Sequence, residues 1–354
     1  MMREFSRLKS LAIIILLVIG MRIPIRQQSN GNYLFTFAQI TDSHIGFPNS
    51  ALILQNVTNW LAHQENIVFV VHTGDIVENC WKPEEWKEAN KIMHTLDPHC
   101  NWTALAGNHD VQHGDGAPVN LRLYKQYFGD DAVNTFNVVN NRLLFILLSW
   151  TTSDGSISPQ TLDWMDQTIE AHPNLSVVVC LHAYLYPYSL LNIKRVGSLS
   201  LTVPNAQEVW DHLDRHKNVV MTLSGHLHDN WVRIHINNGH EIWSISSSAL
   251  KDEGYIRLFD VYEDRIEVRG YSPWTNKNYS GSLDHFTVNF ISKNYDVDGD
   301  LWSDSVDIMP TEPLIPNMLV VGTVAFITMV GFLAYRIVKR RTTHRVQKSS
   351  NLNR

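Results

Sequence analysis

The sequence contains little cysteine and little charge. Only 3 of its 354 residues are cysteines and 18% are charged, whereas 44% are hydrophobic. Three cysteines cannot form a disulfide scaffold, so a hydrophobic core has to hold the fold together. Cys80 and Cys100 could form one bridge, and Cys180, inside an apolar run, is expected to be a buried thiol. The high apolar content excludes an intrinsically disordered chain.

Excess basic charge is absent from the body of the sequence. Residues 336–354 contain seven basic side chains and no acidic one, and residues 1–26 contain five basic and one acidic. Because the whole chain has a net charge of −6, the middle carries −17. A body this acidic repels a phosphate backbone, so binding of duplex nucleic acid is not expected. Bound cations could reverse the local field and let the same body act on phosphate esters.

Long apolar runs occur only at the two ends, which excludes a membrane protein with several spans. Residues 1–26 combine a basic start with an apolar run of about half the length of a spanning helix, which predicts a signal peptide or an uncleaved signal anchor. Residues 318–335 carry no charge and precede a basic stretch. This pattern favours a transmembrane helix at 317–338 and a basic cytoplasmic tail at 339–354. The alternative for each run is a buried core helix.

These two ends predict that the rest of the chain lies outside the cytosol, at the cell surface or in a secretory or endolysosomal lumen. The expectation is a single-pass membrane protein with a C-terminal anchor. Four Asn-x-Ser/Thr sequons could be glycosylated in such a compartment. They begin at Asn56, Asn101, Asn174 and Asn278.

Between the ends, apolar strands alternate with helices, and no repeat of fixed period occurs. Strands are predicted at 33–40, 67–71, 102–105, 143–148, 177–181 and 219–223, and strands dominate afterwards. Helices are predicted at 50–63, at 83–96 and after Ser158-Pro159, where the hydroxyl can cap the first turn. This alternation indicates an α/β domain at 33–290 whose sheets are covered by helices.

Polar side chains follow five of the apolar strands, at the point where each strand ends. Binding sites of α/β sheets typically form at such strand ends. Imidazole and carboxylate donors without cysteine suit Mn, Fe or Zn. The clusters are Asp42-x-His44, Gly74-Asp75, Gly107-Asn108-His109-Asp110, His182 and Gly225-His226-x-His228.

The number of these donors exceeds what one ion needs and is about what two ions sharing a carboxylate need. Two ions about 3.5–4 Å apart can hold a hydroxide and stabilise both the attacking and the leaving oxygen of a phosphoryl transfer. Taken singly, each cluster has an ordinary explanation, such as a turn or a core histidine. The ordered set of five is what predicts a dinuclear metal site.

This ordered set resembles the motifs of the calcineurin-like metallophosphoesterases, over about residues 35–228 and, by the strand-rich continuation, to 290. The resemblance implies a four-layer α/β/β/α fold of two mixed sheets packed face to face, with the metals at the strand ends. It also implies the role of each residue. The first metal would be held by Asp42, His44, Asp75 and His228, and Asp75 would bridge to a second metal, which is completed by Asn108, His182 and His226. His109 would contact phosphate and help the leaving oxygen depart, and Asp110 would orient His109.

One position departs from a branch of that family. Purple acid phosphatases have a tyrosine ligand three residues after the bridging aspartate, and Glu78 stands there instead. The set is more similar to the cyclic-nucleotide phosphodiesterase branch. A small-molecule or lipid phosphate ester is therefore the expected substrate, with phosphodiesters favoured. Four residues that follow the motifs could line the substrate pocket or be ordinary loop residues: His113, Tyr184, Tyr186 and Tyr188.

Two alternatives remain open for the activity. A phosphomonoesterase or nucleotidase could use the same metal site, because the motifs are shared among these enzymes. A binding ectodomain could keep the fold and the metals without catalysis. Protein partners are not indicated by any motif.

A second metal signature precedes the C-terminal apolar run. Carboxylates occupy positions 1, 3, 5, 9 and 12 of a twelve-residue loop, a spacing of hard oxygen ligands that suits calcium. The loop differs from an EF-hand at Gly299, at Leu301 and at Asp307, which stands in place of Glu. It resembles the calcium loops of thrombospondin type-3 or dockerin repeats. It predicts a calcium-binding stalk at 294–316; the alternative is an acidic linker without an ion. The carboxylates are Asp296, Asp298, Asp300, Asp304 and Asp307.

Overall fold

The computed structural model describes residues 31–114, 117–129, 134–186 and 202–289. The predicted signal segment, calcium loop, transmembrane helix and basic tail lie outside these residues, as does Tyr188. Within the described ranges, the helices are too short or too polar to cross a membrane.

The first of two mixed sheets contains the strands at both ends of the described chain. In it, β2 pairs in parallel with β1 and β3, whereas the later strands join antiparallel on the other side of β1. The described order is β14-β13-β12-β1-β2-β3, with β15 also paired to β13. These strands are β1 (Tyr33–Ile40), β2 (Ile67–His72), β3 (Asn101–Ala104), β12 (Ile256–Tyr262), β13 (Arg265–Ser272), β14 (Lys277–Tyr279) and β15 (Phe286–Asn289).

The second sheet has a parallel centre and antiparallel edges, in the order β10-β11-β9-β8-β7-β6. Its strands are β6 (Asn134–Val139), β7 (Leu143–Leu148), β8 (Ser176–Leu181), β9 (Val219–Ser224), β10 (Trp231–Asn237) and β11 (His240–Ser246). A small separate hairpin consists of β4 (Gln112–Gly114) and β5 (Ala117–Asn120). The described helices are α1 (Ser50–Ala62), α2 (Pro83–Met93), α3 (Arg122–Phe128), α4 (Pro159–Glu170), α5 (Ala206–Leu213) and α6 (Leu250–Glu253).

The two sheets pack face to face through alternate residues of their strands. Phe37 of β1 stacks on Phe259 of β12 and meets the edge of Phe145 of β7, with ring centroids 4.4 and 4.9 Å away. The intervening residues of these strands, such as Ile146 and Ala38, belong to the core that includes the helices. Because successive side chains of a strand point to opposite faces, each buried strand contacts both layers. The α/β fold with mixed sheets is confirmed.

The predicted elements agree closely with the observed ones where the sequence is strongly patterned. The strands predicted at 33–40 and 143–148 have the predicted bounds. The helix after Ser158 begins as expected, because the Ser158 hydroxyl accepts a hydrogen bond from the Thr161 amide at 3.1 Å. The helix predicted at 83–96 ends earlier, at Met93.

The cysteines give one correction. Cys80, Cys100 and Cys180 are all free and buried, so the bridge considered between Cys80 and Cys100 is not formed. The thiols of Cys80 and Cys100 lie within the apolar core. Burial raises the pKa of Cys80 and of Cys100 to about 11, which keeps both in the unreactive thiol form at neutral pH.

Candidate metal centre

The strand ends bring the predicted ligands from both sheets to one place. Asp42 and Asp75 follow β1 and β2 of the first sheet, whereas His182 and His226 follow β8 and β9 of the second. Hydrogen bonds join the two groups directly, since the His226 amide donates to Asp42 Oδ2 at 3.1 Å and His182 Nδ1 lies 2.8 Å from the Thr73 carbonyl oxygen. The site therefore lies where the ends of two parallel sheet segments meet.

A first cluster contains four residues whose ligand atoms all lie within 4.8 Å of one another: Asp42, His44, Asp75 and His228. His228 Nε2 is 3.2 Å from Asp42 Oδ1, and His44 Nε2 is 3.7 Å from Asp75 Oδ2. Three of the four side chains are buried. The arrangement presents two carboxylates and two imidazoles to a common point.

A second cluster shares Asp75 with the first and adds His182 and His226, again with ligand atoms within 4.8 Å of one another. His182 Nε2 lies 3.1 Å from Asp75 Oδ2 and 3.1 Å from Asn108 Oδ1. Two adjacent clusters of donor atoms thus share one carboxylate, and each could hold a cation. Oxygen and nitrogen donors without thiolate fit Mn, Fe or Zn.

Five of the seven candidate ligand residues have strained backbones. These five make up half of the non-glycine residues with positive φ in the described ranges. Their φ values are 53° at Asp42, 42° at His44, 53° at Asp75, 66° at His226 and 53° at His228. This region is unfavourable for residues with a Cβ. Such conformations persist only where the surroundings over-determine them, and they concentrate at functional sites.

Two glycines allow the strand ends to approach the carboxylates. A Cβ at Gly107 would overlap Asp75 Oδ1, and a Cβ at Gly225 would overlap Thr41 Oγ1 and Asp42 Oδ2. Glycine is therefore required at these two positions because a side chain would prevent the close approach, and not because the chain has to be flexible there.

Opposite charges keep the carboxylates ionised. Burial alone would raise the pKa of Asp75 and of Asp42, but His182 lowers the pKa of Asp75 and a hydrogen bond from His228 lowers that of Asp42, so both stay below their usual range. Burial would lower the pKa of His182, but Asp75 raises it to about 9. The carboxylates thus remain available to a cation at neutral pH.

The structure corrects the role implied for Asp110. Its buried carboxylate accepts hydrogen bonds from the backbone amides of Gly107, Ile76 and Val77 at 2.8–3.1 Å. The ring of His109 instead has Nδ1 3.0 Å from the Glu78 carbonyl oxygen. Asp110 therefore fixes the loop that carries Asn108 and His109 and does not orient the His109 ring.

Glu78 also belongs to the site, although the sequence indicated it only as a departure from the purple acid phosphatase motif. Its Oε2 lies 2.8 Å from His44 Nδ1 and 4.0 Å from His109 Nδ1. A carboxylate on the outer nitrogen of a ligating histidine fixes the ring and makes the inner nitrogen more basic. Its position three residues after Asp75 was the available signal.

Trp150 is a second residue that the sequence did not indicate. Its ring packs beside His182 and His226, with ring centroids 6.2 and 5.8 Å away. It follows β7 by two residues, so its place at a strand end was the only available signal. The aromatic ring forms one wall beside the second cluster.

Among the residues expected to line the pocket, Tyr184 is almost completely buried and packs against Tyr186 and Trp231. Tyr186 is partly exposed. His113 lies in the β4 strand. Of these, Tyr186 is better exposed than Tyr184 for contact with a substrate.

The chain belongs to the calcineurin-like phosphoesterase family, whose model matches residues 35–230, more than half of the chain. Residues 35–230 therefore form a calcineurin-like phosphoesterase domain. Uncharacterized protein YvnB of Bacillus subtilis is 28% identical over 291 residues, which cover 72% of this chain and 22% of that protein. The chain thus spans only about a fifth of that relative's length.

Two further similarities were found. A protein of Nostoc named 3',5'-cyclic-nucleotide phosphodiesterase is 26% identical over 210 residues, 56% of this chain and 73% of that protein. A crystal structure of a dimetal phosphatase from Danio rerio superimposes with a TM-score of 0.55 at 17% identity, covering 73% of this chain and 100% of that chain. The second similarity supports the fold alone.

Proposed function

We propose that the protein hydrolyses phosphodiesters, cyclic nucleotides among them, by using two divalent transition metal ions. The observation that carries this proposal is the carboxylate of Asp75, which belongs to both clusters of ligand atoms. A shared carboxylate holds two cations close enough to act on one phosphate. The Nostoc relative named 3',5'-cyclic-nucleotide phosphodiesterase supports the choice of a diester.

The ligands divide between the two ions as the clusters do. The first ion would be held by Asp42, His44, Asp75 and His228, and the second by Asp75, Asn108, His182 and His226. When bound, two such ions lower the pKa of water and neutralise negative charge that develops on the phosphate. Mn, Fe and Zn fit these donors.

His109 is the residue proposed to handle the proton of the leaving group. The Glu78 carbonyl can only accept, so the hydrogen bond at 3.0 Å places a proton on His109 Nδ1. The other nitrogen, Nε2, is then free to contact the phosphate. His109 is 38% exposed, which leaves it accessible to substrate. A protonated imidazole there can donate to the departing oxygen.

Activity on paired esters tests the proposal. Purified protein with Mn²⁺ should hydrolyse bis(4-nitrophenyl) phosphate and cyclic nucleotides faster than 4-nitrophenyl phosphate. His109→Ala should lower kcat by about 10²–10⁴-fold, the usual contribution of a general acid. His94→Ala is the matched control, because His94 is an exposed histidine paired with Asp97.

Each contrary result has a defined meaning. Hydrolysis of the monoester alone would replace the diester preference with a phosphomonoesterase or nucleotidase. An inert protein on a broad panel of phosphate esters, unaffected by His109→Ala, would favour a binding ectodomain.

We further propose that the enzyme acts outside the cytosol, anchored by residues 317–338. The charge pattern around that segment supports this location, and the asparagines of all four sequons are exposed, as glycosylation would require. The acidic loop at 296–307 is proposed to bind calcium between the body and the membrane. Truncation before Leu314 should release the protein from membranes. A truncated protein that stays firmly bound would contradict the C-terminal anchor.

A further inference from the structure

A layer of polar side chains lies between the sheets, directly beneath the metal clusters. Gln39 of β1 and Arg257 of β12 are neighbours in the antiparallel register, and neither is exposed to solvent. Both lie two residues from the phenylalanines that join the sheets, Phe37 and Phe259, and so face the other sheet. Apolar packing thus gives way to hydrogen bonding at the end of the strands that carries the site.

Arg257 is the central member of this layer. Its Nε donates to Ser247 Oγ at 2.9 Å, and its Nη1 donates to the Leu283 carbonyl at 2.8 Å. Its Nη2 donates to Asn230 Oδ1 at 2.8 Å and to the Ser246 carbonyl at 3.2 Å. All four acceptors are neutral groups.

The layer connects the strands that end in ligands. Ser247 Oγ, which accepts from Arg257, donates to Gln39 Oε1 at 2.7 Å. Gln39 Nε2 in turn reaches the Ser224 carbonyl at 2.9 Å and Thr73 Oγ1 at 3.0 Å. These residues directly precede Gly225-His226 and Gly74-Asp75. One network therefore ties β1, β2 and β9 together just below the clusters.

Stability alone does not account for a charge at this place. Removing a guanidinium from water is costly, and a well-packed apolar side chain of similar volume is often as stable or more stable. The segment from His226 to Asn230 does need an external restraint, because His226 and His228 have positive φ. Asn230 Oδ1 provides one, accepting from both Arg257 and the Ser248 amide, the latter at 3.0 Å.

We propose that Arg257 is a positioning residue that holds the 226–230 loop in its strained conformation and so presents one histidine to each ion. His228 belongs to the first cluster and His226 to the second. Loosening the loop therefore weakens both sites together. This inference rests on the metal-dependent activity proposed above.

Mn²⁺ binding measures the effect without substrate. Arg257→Met keeps much of the volume but removes all four hydrogen bonds, so titration followed by electron paramagnetic resonance should show binding that is about 10–100-fold weaker. The variant is expected to lose some stability, because buried acceptors lose their donor, so its Mn²⁺ affinity is measured below its thermal transition. Arg269→Met is the matched control, because Arg269 lies on neighbouring β13, is 42% exposed and pairs with Asp260. It should bind Mn²⁺ normally.

Further variants test the route through the loop. Asn230→Ala should weaken Mn²⁺ binding in the same way, and adding Arg257→Met to it should cost less than the product of the two single effects. Arg257→Lys should recover part of the affinity, since an ammonium can still donate to Asn230. If Arg257→Met does not fold, the Mn²⁺ affinity of Asn230→Ala alone tests the positioning role.

Two results separate the failure of this inference from that of the proposed function. Mn²⁺ affinities of Arg257→Met and Asn230→Ala within twofold of the parent value would overturn the positioning role. A parent protein that itself binds fewer than two Mn²⁺ ions would overturn the proposed function instead.

Discussion

His44 uses its two ring nitrogens for different purposes. Nδ1 faces the Glu78 carboxylate at 2.8 Å, whereas Nε2 lies among the other members of the first cluster, 3.3 Å from His228 Nε2. The carboxylate places the proton on Nδ1 and leaves the Nε2 lone pair for a cation. Burial lowers the pKa of His44, which also favours the neutral ligand form.

This geometry predicts the effect of removing Glu78. Glu78→Ala should weaken binding of the first ion about 10–100-fold, because the His44 ring loses its orienting partner. Equilibrium titration with Mn²⁺ checks this, and Glu84→Ala, at an exposed glutamate of α2, serves as the control. An unchanged affinity in Glu78→Ala would show that the pair does not position His44.

His72 is a second buried imidazole with a fixed protonation state. The Gly74 amide donates to Nδ1 at 3.2 Å, so the proton lies on Nε2, which faces Ser43 Oγ at 2.9 Å. His72 thereby joins the loop between Asp42 and His44 to the loop before Asp75. Burial lowers its pKa to about 3.

Acid should therefore destabilise the fold through His72. Below pH 6.5 the unfolded chain binds a proton at this histidine that the folded chain does not bind until pH approaches 3. The free energy of unfolding should then fall by about 1.4 kcal/mol per pH unit within that window. Urea unfolding at pH 7, 6 and 5 should show a flatter dependence in His72→Asn than in the parent protein. Parallel curves for the two proteins would contradict this assignment.

At the scale of elements, the backbone at the ends of the strands has to pass close to the carboxylates of the site. Gly225→Ala should abolish or strongly weaken Mn²⁺ binding, because the new Cβ overlaps the Asp42 carboxylate and Thr41. Gly239→Ala is the control: its Cβ meets nothing within 4 Å, although φ is +78°. It should cost about 1–2 kcal/mol of stability and leave Mn²⁺ binding intact. Equal metal binding by both variants would contradict the steric argument.

Much of the site could be predicted because parallel strands deliver their ends to one edge. Asp75 and His182 are 107 positions apart in the sequence (182 − 75), yet the strand pattern alone was enough to group them. Two partners of Asp110 could not be predicted, because the amides of Ile76 and Val77 belong to another loop. Arg257 gave no signal either, since one arginine in a strand also fits an exposed position.

At the scale of the whole molecule, the candidate site joins the two sheets. Asp42 and Asp75 come from the first sheet, and His182 and His228 come from the second or its adjoining loop. An ion held by both sheets must dissociate when they separate. Metal binding and global stability should therefore be linked.

Mn²⁺ should raise the thermal midpoint of the protein. When the free Mn²⁺ concentration is 100 times the dissociation constant of a site, binding at that site adds about 2.7 kcal/mol to the free energy of unfolding. Differential scanning calorimetry with and without Mn²⁺ measures the shift, and Asp75→Ala should lose most of it because that carboxylate serves both clusters. An equal shift in parent and variant would mean that Mn²⁺ binds elsewhere.

The most direct test of the dinuclear site is the number of Mn²⁺ ions bound per chain, together with their magnetic coupling. Titration of the purified protein, followed by electron paramagnetic resonance, should give two tightly bound ions and the spectrum of a coupled pair about 3.5–4 Å apart. Asp75→Ala should remove the coupling. Binding of one ion or none by the parent protein, or of two ions without coupling, would contradict a pair of cations held by a shared carboxylate.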